Sequence, residues 1–255
     1  MILGLYQAPS PAGDIGAGLT TVETALSAAH DASVDMLTLP EAFLPGYNAA
    51  NAAPPDGWDD IEPRLKELCT RYKTGLTIGL PEYRDGRVFN TALALSAEGA
   101  RLARYDKIQL FGPNEAALYT PGNGYVTFDY LGTRFGLLIC YDVEFPEHVR
   151  ALKRMGATVI LVPTANMMPF VNVNHLIAPA RAAENALTIV YANYCGSEGA
   201  LDYVGLSAIL GPDGYQLGSK GQDAGLCIAE LPNDDGWSEH AIPLSTQLTD
   251  LKDVT

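Results

Sequence analysis

One cysteine stands where an apolar run turns polar. The segment Phe135-Gly136-Leu137-Leu138-Ile139-Cys140-Tyr141-Asp142 reads as a buried strand ending at Cys140. A thiol at a strand exit can face a cavity while the strand holds its backbone still. The turn that follows can aim the Tyr141 backbone N–H at a developing negative charge, as covalent acyl transfer requires. On the local sequence alone, a core cysteine fits this segment as well.

A thiol near its ordinary pKa is mostly protonated at neutral pH, so a nucleophilic Cys140 needs a base or a cationic neighbour. The four histidines are weak candidates. His30 falls on a surface helix and His240 in a weakly patterned tail. His148 and His175 belong to helices and carry no orienting motif that makes a cysteine–histidine pair persuasive. Glu41 and Lys107 fit better. Glu41 follows the apolar run Val34 to Leu39, and Lys107 ends the pattern Arg104-Tyr105-Asp106-Lys107-Ile108. A shielded carboxylate has a raised pKa and can move protons near neutral pH. An ammonium beside it can stabilise a thiolate or an oxyanion. Taken singly, each is more often a surface charge; their shared placement at strand exits weakens that reading.

The elements that must hold these groups follow from periodicity and breakers. Strands are predicted over Ile2 to Gln7, Val34 to Leu39, Gly75 to Leu80, Phe89 to Ser96 and Arg101 to Ile108. Tyr125 to Asp129 and Thr133 to Cys140 form a hairpin. Further strands are Ala157 to Val162, Leu187 to Tyr194, Gly205 to Leu210 and Leu226 to Glu230. Helices are predicted over Gly18 to Ala32, Ile61 to Tyr72, Pro146 to Met155 and Asn172 to Ala186, the last disturbed by Pro179. The stretches Phe43 to Asp59 and Leu110 to Gly124 read as irregular. Helices and short strands alternate along nearly the whole chain, which implies one α/β unit over 1–255, with a core to about 232 and a polar tail over 233–255. The strand-rich stretches favour two stacked sheets.

The chain of 255 residues holds 30 acidic against 16 basic residues, a formal net charge of -14. Such a surface repels phosphate backbones and anionic membranes, and no basic cluster offsets it. Cys69, Cys140, Cys195 and Cys227 are widely spaced and form no CxxC pair, so reduced thiols and a cytoplasmic location are expected. No signal peptide or membrane-spanning run is evident.

With these residues identified, the chain resembles the nitrilase superfamily, the carbon–nitrogen hydrolases. Three segments carry the likeness: Leu39-Pro40-Glu41-Ala42-Phe43, Tyr105-Asp106-Lys107-Ile108-Gln109-Leu110-Phe111-Gly112, and Ile139-Cys140-Tyr141-Asp142-Val143-Glu144-Phe145-Pro146-Glu147. Within the family, Pro163-Thr164-Ala165-Asn166-Met167, Ala180-Arg181-Ala182-Ala183-Glu184-Asn185 and Tyr191-Ala192-Asn193-Tyr194-Cys195-Gly196 resemble the aliphatic amidase and 5-aminopentanamidase group. The region Phe170 to Pro179 departs from it.

The resemblance implies a four-layer α-β-β-α sandwich, assembled as a homodimer, with a tetramer as the alternative. It implies Glu41 as general base, Lys107 and the Tyr141 N–H as oxyanion donors, Cys140 as nucleophile and Glu115 as a positioning carboxylate. The implied reaction is hydrolysis of a small aliphatic or ω-amino amide, with no cofactor and no metal. Tyr47, Asn166, Met167, Met168, Phe170, Tyr191 and Cys195 are expected in the pocket wall. Glu144 or Glu198 would accept a terminal amine. The pairs Glu147–Arg150 and Arg181–Glu184, three residues apart on helices, would brace the site. A nitrilase, an N-carbamoyl amide hydrolase and an acyltransferase share the same nucleophile. A non-catalytic interaction protein that keeps the fold is the alternative of a different class.

Overall fold

The computed structural model describes residues 1–231 and 243–252. Strand β1 (Ile2–Gln7) leads to helix α1 (Ile15–Asp31), whose first turn is capped by Asp14 accepting from the Ala17 N–H at 2.9 Å. Then come β2 (Met36–Thr38), α2 (Ile61–Tyr72), β3 (Gly75–Arg84), β4 (Arg87–Leu95) and β5 (Arg101–Asp106). A short helix α3 (Gly112–Leu118) precedes the hairpin β6 (Thr127–Tyr130) and β7 (Thr133–Leu137). Helix α4 (Pro146–Arg154), β8 (Val159–Pro163), α5 (Ala178–Asn185) and β9 (Thr188–Ala192) follow. The chain continues through β10 (Ser197–Glu198), β11 (Leu201–Asp202), β12 (Ala208–Leu210), β13 (Gln216–Ser219), β14 (Gly225–Glu230) and α6 (Gln247–Asp250).

Twelve of these strands form two six-stranded sheets, ordered β14-β1-β2-β3-β4-β5 and β13-β12-β9-β8-β7-β6. Each has a parallel centre: β1, β2 and β3 in the first, β7, β8 and β9 in the second. Strand alternation divides the side chains between two apolar layers. Leu3, Leu5, Met36, Ala92 and Ala94 of the first sheet face the second sheet. Leu37, Leu76, Ile78, Leu93 and Leu95 face Val22, Leu26, Leu65 and Leu68 of α1 and α2. Val149 and Leu152 of α4 and Ala178 and Ala182 of α5 cover the second sheet from outside. The layers therefore run helix, sheet, sheet, helix, as expected.

Most boundaries shift by a few residues from the sequence reading, and four differences have a clear physical reason or consequence. Residues 112–118 are helical rather than irregular, because Pro113 falls in the first turn, where its missing N–H costs nothing. β3 runs past Pro81 to Arg84, since β2 pairs with β3 only up to Thr77 and leaves that side open. β7 stops at Leu137, and Cys140 opens a 3-10 turn over Cys140–Glu144. Ahead of α5, Val173–Ile177 is a π-helical turn, the disturbance anticipated from Pro179. Of the polar tail, 232–242 and 253–255 lie outside the described residues. The described part packs on α5 of its own chain, with the Ser245 hydroxyl donating to the Glu184 carbonyl at 3.1 Å.

Candidate active site

The carboxyl ends of the parallel strands from both sheets converge, the usual place for a site in such sheets. Glu41 follows β2, Cys140 follows β7, and Thr164 and Ala165 follow β8. Lys107 follows β5, tied by its N–H to the Asn90 carbonyl and by its own carbonyl to the Gly122 N–H, both at 2.8 Å. The approach is so close at Gly79 of β3 that a Cβ there would lie 2.4 Å from the Ala42 nitrogen and 2.5 Å from the Glu41 Cα. Glycine is required at that position for Glu41 to sit where it does.

Lys107 is fully buried and lies between two carboxylates. Its Nζ donates to Glu41 Oε1 at 2.7 Å and to Glu115 Oε1 at 2.8 Å. Asn90 Nδ2 donates to the same Glu41 oxygen at 2.7 Å, and the Ala165 N–H donates to Glu41 Oε2 at 3.0 Å. The Tyr194 hydroxyl holds the Glu41 backbone carbonyl at 2.8 Å. Glu115 accepts from the Tyr47 hydroxyl at 2.6 Å and from the Phe111 N–H at 2.9 Å. Both carboxylates are thus held at several points, and neither has room to swing.

Charge follows from this packing. Burial disfavours the Lys107 ammonium, but Glu41 and Glu115 outweigh it and hold its pKa well above 10.5. Burial pushes Glu41 up; Lys107 pulls it back only in part, and Glu115 adds to the rise. One cation faces two carboxylates, so the set takes up a proton more readily than an isolated carboxylate does. Burial also raises the Cys140 thiol, the Glu41 charge raises it further, and Lys107 opposes both. The resting sulfur is a neutral thiol beside a carboxylate and an ammonium.

Cys140 adopts a left-handed φ of 45°, uncommon for a residue with a side chain. Asp142 holds the turn. Its Oδ1 accepts from the Gln109 N–H at 2.7 Å, and its Oδ2 from the Ile139 N–H at 3.0 Å and the Tyr105 hydroxyl at 2.9 Å. Asp142 therefore ties the cysteine turn to the lysine loop. Tyr141 is the second residue of that turn, where backbone N–H groups have no acceptor within the turn.

A cavity of about 330 Å³ opens beside Glu115. Tyr47, Phe111, Leu118, Tyr119 and Met167 are among its walls. Tyr47 donates to the Glu115 carboxylate that Lys107 also contacts, so this wall of the cavity joins the lysine–carboxylate cluster.

The other expected wall residues divide. Tyr191 lies behind the nucleophile, with Thr164 Oγ1 donating to its hydroxyl at 3.1 Å. The Phe170 ring meets Phe111 edge-on at 5.6 Å, and Phe111 meets Tyr141 at 5.3 Å. Asn166 is spent on structure, bonded to Asn174 Oδ1 at 2.7 Å and the Phe170 carbonyl at 3.0 Å. Met168 is 53% exposed and is a surface residue. Cys195 is buried, with its N–H donating to the Ala8 carbonyl at 3.0 Å, and it is not among the residues that line the cavity.

Glu144 is half-buried within the field of Lys107 and Arg181. Glu198 is engaged, accepting from the Asn48 N–H at 3.1 Å and the Tyr203 hydroxyl at 2.6 Å. Arg181 pairs with Glu184 at 3.1 Å and donates to the Glu144 carbonyl at 2.8 Å, bracing the cysteine turn. Among the described residues no ion pair joins Arg150 to Glu147, which is exposed. Asn90, Asp142 and Ala165 were not singled out from sequence. A buried asparagine in the apolar strand β4 was the available signal, since such a group needs a polar partner.

The pattern of the family described as "Carbon-nitrogen hydrolase" matches residues 2–236. The chain belongs to the carbon–nitrogen hydrolase family. A relative described as "Hydrolase in pqqF 5'region" from Pseudomonas protegens is 38% identical over 91% of this chain and 82% of its own. An (R)-stereoselective amidase from Pseudomonas sp. is 33% identical over 92% of this chain and 86% of its own. Among solved structures, a mutant amidase from Nesterenkonia sp. AN1 superimposes with a TM-score of 0.86 at 35% identity, covering 92% of this chain and 94% of that one. That structure carries the product of Michael addition of acrylamide at its active-site cysteine. Another mutant of the same amidase was solved in complex with butyramide, with a TM-score of 0.86 at 34% identity over 91% of each chain. The two-sheet architecture of this carbon–nitrogen hydrolase matches theirs.

Proposed function

We propose that this chain hydrolyses a small linear amide to the carboxylic acid and ammonia through a thioester on Cys140. The observation that carries the reading is the buried Lys107 ammonium held between Glu41 and Glu115 beside a raised thiol.

A neutral thiol must lose its proton as it attacks. Glu41 accepts that proton while sulfur bonds to the amide carbon and the carbonyl electron pair moves onto oxygen. The Lys107 ammonium and the Tyr141 N–H stabilise that oxygen. Collapse of the intermediate breaks the carbon–nitrogen bond, and Glu41 returns its proton to the departing ammonia. Glu41 next takes a proton from water, which attacks the thioester. The carbon–sulfur bond breaks, and the sulfur regains the proton from Glu41. Glu115, held by Tyr47, keeps Lys107 in position.

The butyramide complex of the Nesterenkonia amidase supports a short acyl chain. Cys69, Cys140, Cys195 and Cys227 are all unpaired, which supports a reducing cytoplasmic setting. No described helix is long and apolar enough to cross a membrane. A homodimer through α4 and α5, the outer helices on the second sheet, belongs to the same proposal; light scattering on the purified chain tests it.

The test of function is ammonia release from butyramide and from butyronitrile by the purified chain. Amide turnover lost in Cys140→Ala, with the nitrile inert, is the expected result. Preferential turnover of the nitrile would overturn the amidase reading.

A further inference from the structure

Glu198 is a buried acid that the proposed chemistry does not use. It lies in the short hairpin of β10 and β11, paired in register with Leu201 of the cavity wall. Among the described residues no lysine or arginine forms an ion pair with it. Burying a carboxyl costs free energy that its hydrogen-bond partners must offset, and Glu198 has two. Its Oε1 accepts from the Asn48 N–H at 3.1 Å and its Oε2 from the Tyr203 hydroxyl at 2.6 Å.

These partners lead to the two carboxylates that flank Lys107. Tyr203 is the fixed end: its ring stacks on Tyr194 at 4.7 Å, and the Tyr194 hydroxyl donates to the Glu41 carbonyl at 2.8 Å. Asn48 is the held end. It follows Tyr47 in a 3-10 turn over Tyr47–Ala49, and the Tyr47 hydroxyl donates to Glu115 at 2.6 Å. One carboxyl therefore joins the support of Glu41 to the support of Glu115. The loop is shaped for that contact. Gly46 has a φ of 120°, and a Cβ there would lie 2.8 Å from Glu198 Oε1. A side chain at 46 would push the carboxyl off the Asn48 N–H.

We propose that Glu198 is a positioning residue: it fixes the turn that carries Tyr47, and through Tyr47 it sets Glu115 against Lys107. The inference rests on the amidase reading above and adds a residue to its machinery. Glu198 moves no proton in the reaction; it acts through its two acceptor sites. A glutamine keeps both contacts. Its Oε1 accepts from the Asn48 N–H, and its NH₂ donates to the Tyr203 hydroxyl, which turns to accept.

Butyramide kinetics on the full chain test this as a double-mutant cycle. Glu198→Ala is expected to lower kcat about fivefold in the native chain, but less than about twofold in Tyr47→Phe, where the group it acts through is already lost. Glu198→Gln is expected to stay within about twofold of the native kcat. Tyr203→Phe keeps the stacked ring and removes one hold on Glu198, so the same coupling to Tyr47 is expected; it decides the question if Glu198→Ala does not fold. A merely structural loss would lower kcat by the same factor in both backgrounds, and that result overturns the inference. So does a native kcat in Glu198→Ala or in Tyr47→Phe, or Glu198→Gln as impaired as Glu198→Ala. Each of these leaves the amidase reading standing. Failure of the native chain to hydrolyse butyramide overturns the amidase reading and this inference with it.

Discussion

Asn90 and Lys107 donate to the same oxygen of Glu41, each at 2.7 Å, while the other oxygen accepts from the Ala165 N–H. Glu41 is held on three sides, and its orientation rests on a neutral donor as much as on the cation. Asn90→Leu removes that donor without adding charge. The expected effect is a fall in kcat of about tenfold or more, matching the loss of roughly 1.5 kcal/mol from one hydrogen bond to a charged group. KM should change little. Steady-state kinetics with butyramide check this, and an unchanged kcat would remove Asn90 from the machinery.

The pH dependence follows from Glu41. Its pKa is raised above the ordinary carboxylate value of 4.5, by burial first. The base works ionised, so activity falls as pH drops through the raised value. The acid limb of kcat/KM is therefore expected above 4.5, and it belongs to Glu41 coupled with Lys107 and Glu115. Lys107 is held well above 10.5 and contributes no alkaline limb below that. A limb at or below 4.5 would contradict the assignment of the base.

Asp142 holds the nucleophile's turn through three donors aimed at its two oxygens. An asparagine there has one acceptor oxygen, and its NH₂ group must face an N–H or the Tyr105 hydroxyl. Asp142→Asn is expected to cost about 1–3 kcal/mol of stability. Activity should drop together with stability, because the same turn aims the Tyr141 N–H. Thermal denaturation read beside kcat tests this; an unaltered Tm would show that the three bonds are dispensable.

Gly79 touches no group proposed to react, yet it sets where Glu41 can lie. A methyl there would fall within 2.5 Å of backbone atoms of Glu41 and Ala42. Gly79→Ala is expected to cost about 1–3 kcal/mol from overpacking and to lower kcat by moving the base. A folded variant with native kcat would mean that the strand yields rather than the Glu41 loop.

Much of this arrangement was legible before any coordinates. Cys140 and Glu41 stand at exits from apolar runs, where composition changes sharply, Lys107 ends an alternating strand pattern, and the resemblance supplied Glu115. What was not legible is long-range. Asn90 reaches Glu41 across 49 positions, and Ala165 reaches it across 124. No local pattern encodes such pairings. Gly112-Pro113-Asn114 reads as turn chemistry, but the same residues also start a helix, whose one buried side chain, Glu115, is anchored by Lys107 and Tyr47 from outside it. The pocket was the least legible part. Met168 and Met167 are neighbours, yet one is a surface residue and the other lines the cavity. Cys195 shows the same limit: a buried thiol just past the end of an apolar strand reads alike whether or not it lines the cavity.

The most direct measurement is intact mass spectrometry of the chain quenched during turnover of butyramide. The account predicts a species heavier by one butyryl group, mapped to Cys140, absent from Cys140→Ala and restored to the free mass as substrate runs out. Turnover by a folded Cys140→Ala at the native rate, or an acyl group carried on another residue, would contradict it.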